Sequence, residues 1–89
     1  MNSEKNWGLQ IDPLVFKSLK KLIKKEKEGI LSTIEELAIN PHFGDIQKIK
    51  GENNVWRRRI GSYRLFFEIY PEEKIVHIFH VQRRTTTTY

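Results

Sequence analysis

Val55–Ile69, VWRRRIGSYRLFFEI, decides the fold. It reads as two apolar strands around Gly61-Ser62, a two-residue turn with glycine first. If that pair is the whole turn, Ile60 lies opposite Tyr63, Arg59 opposite Arg64, and Arg57 opposite Phe66. Directly opposed residues share a face of a sheet, and successive side chains alternate between faces. Tyr63, Leu65, Phe67 and Ile69 then share one face with Trp56 and Ile60, the expected core face. Arg57, Arg59, Arg64, Phe66 and Glu68 fall on the other.

That second face poses a charge problem. Three guanidinium groups on the solvent side of one hairpin, two of them directly opposed, repel one another unless an anion sits among them. Phosphate is the natural occupant. The plain alternative is a solubilising surface paired with Glu68 or Glu52. Arg58 has core-face parity, so it must reach water at a sheet edge or meet a carboxylate from a helix.

Working outward, Pro71–Lys74 fits a hairpin loop and Ile75–Arg84 a further strand, followed by Thr85–Thr88 and Tyr89. On the other side, residues 42–54, HFGDIQKIKGENN, are polar and glycine-bearing and read as a loop. Trp7, Leu9 and Ile11 alternate as a short first strand. Asp12-Pro13 is a cap followed by a proline at the first helical position. Val15, Leu19, Leu22 and Ile23 then form one helical face. The charged run Lys24–Glu28, ending at Gly29, is expected to break this helix from a second one. The second carries Ile30, Ile34, Leu37 and Ala38 and stops at Asn40-Pro41. The expected architecture is α+β, βααβββ, with a helical hairpin on one face of a small antiparallel sheet.

Composition bounds the rest. A chain of 89 residues makes one domain, residues 1–89, with one two-layer core. There is no cysteine, hence no disulfide, thiolate metal site or cysteine nucleophile. The N-terminus lacks an apolar signal segment and no apolar run is long enough to span a bilayer. A cytoplasmic protein without a membrane partner is expected. A net charge of +5 and a pI near 9.6 favour an acidic or polyanionic partner. No metal site is expected: His42, His77 and His80 have no ligand spacing, and on a regular strand His77 and His80 face opposite ways.

Taken in order, the helical hairpin, NPHFGDIQKIKG (40–51), VWRRRIGSYRLFFEI, IVHIFHVQRR (75–84) and a terminal tyrosine resemble the RelE/ParE superfamily of toxins from toxin–antitoxin pairs. The most specific piece is WRRRIGSYRLFFEI, which parallels the family's aromatic-Arg-apolar-Arg-apolar-Gly-x-Tyr-Arg pattern. The resemblance spans nearly the whole chain. It departs from the family at Arg58, where an apolar residue is usual, and in the Thr85–Thr88 spacer before Tyr89.

The resemblance implies a RelE-like fold and, for the RelE branch, cleavage of mRNA in the ribosomal A site without metal or cofactor. Its catalytic residues fall here on Arg57, Arg59, Arg64, Arg84 and Tyr89. Lys48 and Lys50 match RNA-binding lysines, and Arg83 stands in for Arg84 if a bulge swaps their faces. The implied partners are the ribosome, mRNA and a cognate acidic antitoxin, with operator DNA reached only through the antitoxin. A ParE-type inhibitor of DNA gyrase, or a non-catalytic module that binds RNA or antitoxin, are the competing readings. The full set of arginines favours the RelE type.

The chemistry of such a site is limited by its residue types. RNA supplies its own 2′-hydroxyl nucleophile, so the protein must stabilise charge on phosphorus and move protons. Arginine does the first with a planar fork that matches phosphate oxygens. It cannot serve as a base, since its pKa above ~12 keeps it protonated. Lys48, Lys50, Tyr89 and His80 are the candidates for proton transfer.

Overall fold

Asp12 starts the helical layer as expected. Its side chain accepts from the Leu14 amide at 2.9 Å, and Pro13 occupies the first turn of α1 (Pro13–Lys20). A computed structural model describes residues 7–83 of the chain. The expectations for Arg84, Thr85–Thr88 and Tyr89 therefore lie outside the described residues.

The break between helices is earlier than the charge run suggests. Residues 21–23 make the turn, and α2 (Lys24–Ile39) contains Lys24–Glu28 and Gly29. Fully charged stretches are good helix formers when solvated, so charge alone is no breaker. Gly29 is accommodated because its position opens onto free space, with nothing within 4 Å of where a Cβ would stand. Thr33 Oγ1 donates to the Gly29 carbonyl at 3.0 Å. At the far end Asn40 leaves the helical conformation, and its side chain accepts from the His42 amide at 3.0 Å.

The strands are β1 (Gly8–Ile11), β2 (Ile46–Lys48), β3 (Val55–Ile60), β4 (Tyr63–Tyr70) and β5 (Ile75–Arg83), in the order β1-β5-β4-β3-β2. The α+β class and the helical hairpin over the sheet stand as expected, with two differences. Residues 46–48, read as loop, add an edge strand to β3, and β1 pairs with β5 in parallel. The β3–β4 register agrees at every pair, Ile60 with Tyr63, Arg59 with Arg64, Arg57 with Phe66. Gly61 makes the turn possible with φ of +56°, a conformation that glycine adopts without strain.

Alternation along β4 places Tyr63, Leu65, Phe67 and Ile69 in the core. There they join Val76, Ile78 and Val81 of β5 and meet Val15 and Leu19 of α1 and Ile30, Ile34 and Leu37 of α2. Trp56 and Ile60 pack against the same cluster from β3. Both helices thus cover one face of the sheet. The other face is left bare, and it is the one that carries the arginines.

Candidate functional site

Strand pairing arranges the bare face in rows. Gln82, Arg64 and Arg59 form one, His80, Phe66 and Arg57 the next, and His77, Glu68 and Val55 the third. Arg59 and Arg64 are directly opposed, as the hairpin register requires. Like charges facing each other destabilise a strand pair, and a nearby anion offsets that cost.

The three arginines are neutralised to different degrees. Arg59 Nε lies 3.5 Å from Asp45 Oδ2, a pair open to solvent on both sides. Arg57 donates to the Gln47 side-chain oxygen across the β2–β3 pair, a neutral partner. Arg64 has no carboxylate at ion-pair distance among the described residues. Nε of Arg57 and of Arg64 is buried and has no hydrogen-bond acceptor among the described residues. A buried donor without an acceptor costs about 1–3 kcal/mol.

Arg58, the misfit of the pattern, is resolved by a helix carboxylate. Its guanidinium donates to Glu36 Oε1 and to the Phe43 carbonyl, each at 3.0 Å. It is a structural arginine on the helix side of β3.

The lysines and the end of β5 fall elsewhere. Lys48 is paired with Trp56, which gives it the parity of the helix-covered face, and its Nζ donates to the Glu52 carbonyl at 3.2 Å. Lys50 is exposed in the loop after β2. Arg83 is paired with Tyr63, and its guanidinium lies 5.9 Å from that ring's centroid, again on the helix side. Arg83 is therefore not brought together with Arg57, Arg59 and Arg64. Tyr63 also donates to Glu26 Oε1 at 2.9 Å, and this hydrogen bond, with burial, raises its pKa above the ordinary 10.0.

One expectation about the histidines is overturned. A bulge in β5 leaves Phe79 without a partner, since Phe66 pairs with His80 while Phe67 pairs with Ile78. The extra residue shifts the alternation, so His77 and His80 share the bare face. His77 Nδ1 is 2.8 Å from Glu68 Oε1, which also accepts from the Tyr70 hydroxyl at 2.9 Å. That hydrogen bond raises the Tyr70 pKa. Sequence reasoning missed this Glu68–His77–Tyr70 cluster, because it left the register across the Pro71–Lys74 loop unassigned, and that register sets Glu68 opposite His77. It also missed Gln47 and Asp45, which a loop reading could not aim at Arg57 and Arg59. Among the described residues no helix is long and apolar enough to cross a membrane.

Comparison with known proteins places this geometry in context. The family described as ParE toxin of type II toxin-antitoxin system, parDE, matches residues 9–87. The chain is 32% identical over 81 residues to “Putative toxin RelE1” of Methanocaldococcus jannaschii, covering 88% of this chain and 90% of that one. The RelE of the archaeal RelE–RelB complex from Pyrococcus horikoshii superposes with a TM-score of 0.81 at 23% identity, covering 92% of this chain and 99% of that one. The isolated E. coli RelE toxin gives 0.77 at 19% identity, with 91% and 87% covered.

Proposed function

The chain belongs to the RelE/ParE superfamily of type II toxin–antitoxin toxins, and from that premise we propose that it is a RelE-type, ribosome-dependent mRNA endonuclease. The observation that carries this reading is that Arg57, Arg59 and Arg64 stand on one sheet face that neither helix covers, with Arg57 and Arg64 unpaired with any carboxylate among the described residues. A phosphodiester fits that cradle. Its oxygens accept from the guanidinium groups, and the charge that develops on phosphorus during 2′-hydroxyl attack is met by fixed cations. Products are a cyclic phosphate and a free 5′-hydroxyl.

Proton transfer falls to other groups. His80 is exposed on the cradle's own face, in the row of Phe66 and Arg57. An imidazole has one nitrogen that can accept a proton and one that can donate it. Lys48, Lys50 and Tyr89 remain the alternatives the family resemblance supplies, and the same resemblance adds Arg84 to the catalytic arginines.

A cognate antitoxin is the natural partner, as for the relatives solved as RelE–RelB complexes. An acidic segment laid across the bare face would compete directly with RNA phosphate. Cytoplasmic action on ribosomes loaded with mRNA follows from the same reading.

The match to the ParE description supports a second reading, inhibition of DNA gyrase without nuclease activity. Inducing the protein alone and mapping transcript ends by primer extension separates the two. Codon-phased cuts are expected. Intact messages with accumulating gyrase–DNA cleavage complexes would replace the nuclease by the gyrase inhibitor.

A further inference from the structure

Beside the arginine cradle stands a band of rings. The Phe66 ring lies 5.5 Å from His80 and 6.5 Å from Phe79, and Phe79 lies 6.0 Å from His77, centroid to centroid. Their planes are inclined by 43–45°. No two of these rings are stacked in parallel. Phe66 and Phe79 are only partly buried and His80 is exposed. Phe79 is the bulged residue of β5, and bulges re-aim side chains.

Apolar rings on a bare, hydrated face gain little for folding. Next to cations that lack carboxylate partners they match what single-stranded RNA offers, a phosphate with an unstacked base attached. Aromatic side chains on an open sheet hold unpaired bases in this way. Phe66 is directly opposite Arg57 and His80, so the band begins one strand spacing, about 4.8 Å, from the cradle.

We propose that Phe66, Phe79 and His80 form a stacking subsite for one unpaired RNA base adjoining the phosphate held by the arginines. This rests on the nucleic-acid reading of the cradle and adds a base-binding element to it. The flanking unneutralised arginines favour RNA over an apolar segment of a protein partner.

The test uses the full-length protein and a trinucleotide blocked by 2′-O-methyl groups, compared with versions lacking each base in turn, in fluorescence anisotropy at low salt. Removal of one base is expected to weaken binding about five- to a hundredfold. Phe66→Leu, which keeps an apolar side chain but loses the π face, is expected to bind the intact RNA no better than wild type binds the abasic one. Phe79→Leu provides the same comparison should Phe66→Leu fail to fold. Salt-sensitive binding that ignores every base removal would overturn the stacking subsite and leave the cradle standing. Binding of no RNA at all would remove both, and base discrimination that survives either folded variant would also end the proposal.

Discussion

Arg58 and Glu36 are joined at 3.0 Å across the helix–sheet interface, and the same guanidinium reaches the Phe43 carbonyl. One arginine thus ties α2 to the loop that enters β2. Its side chain is only 12% exposed, so loss of a partner leaves a desolvated charge. We expect Glu36→Gln to lower stability by about 1 kcal/mol and Arg58→Ala by about 2 kcal/mol, read from urea midpoints at unchanged slope.

Gly44 makes room for that arginine. Its φ is +96°, and a Cβ there would stand 2.4 Å from Arg58 Cζ. Gly44→Ala should cost about 2 kcal/mol or more, part backbone strain and part displacement of the guanidinium. In Arg58→Ala protein the second part vanishes. The double-mutant cycle is expected to show a coupling of at least about 0.5 kcal/mol. Strict additivity would mean that the two do not touch.

Replacing Arg64 tests whether the proposed function can be separated from folding. It faces Arg59 and has no compensating carboxylate among the described residues. Arg64→Ala is expected to leave the urea midpoint within about 0.5 kcal/mol of wild type or to raise it. Message cleavage in a translating extract should fall about a hundredfold or more, as when one donor to a developing charge is removed. Full cleavage by the folded variant would take Arg64 out of the site.

Asp45 tempers Arg59, its neighbour at 3.5 Å. The pair is exposed, so Asp45→Asn should change stability by less than about 1 kcal/mol. Freed of that carboxylate, Arg59 is available to phosphate. RNA binding at low salt is expected to tighten about fivefold, the equivalent of about 1 kcal/mol. Weaker binding would show that Asp45 positions Arg59 rather than masking it.

Tyr63 sets an alkaline limit. Its hydrogen bond to Glu26 favours the neutral phenol in the folded state, so its folded pKa lies above the unfolded 10.0. The folded chain holds this proton more tightly than the unfolded one. The contribution is therefore complete below pH 10.0 and is lost as pH rises through the folded value. Denaturation midpoints should fall less steeply above pH 10.0 in Tyr63→Phe than in wild type.

The hairpin was legible because glycine at 61 and alternation from 55 to 69 leave a single register. That register alone predicts the opposed arginines and a core-facing Arg58 in need of a carboxylate. The edge strand at 46–48 escaped notice because three residues with two polar side chains show no alternation. The break between helices was placed too late, since Ile23 closes an apolar stripe yet stands exposed as the α2 cap. The bulge at Phe79 is a property of two strands together, and no residue type announces it. It puts His80 on the same face as His77 and the arginines, so the candidate site was less readable than the fold.

The parallel pairing of β1 with β5 bears on how the molecule assembles. Gly8 meets Ile75, so one end of the described chain waits for the other, and β5 is hydrogen-bonded on both sides. Such pairing closes a long loop before it gains any contact, which slows the search for the native state. Until residues 75–83 insert, β1 lacks its partner and β4 is an open edge. The basic face is spared that delay, because Arg57, Arg59 and Arg64 all stand on the local β3–β4 hairpin, whose pairing does not wait for β5.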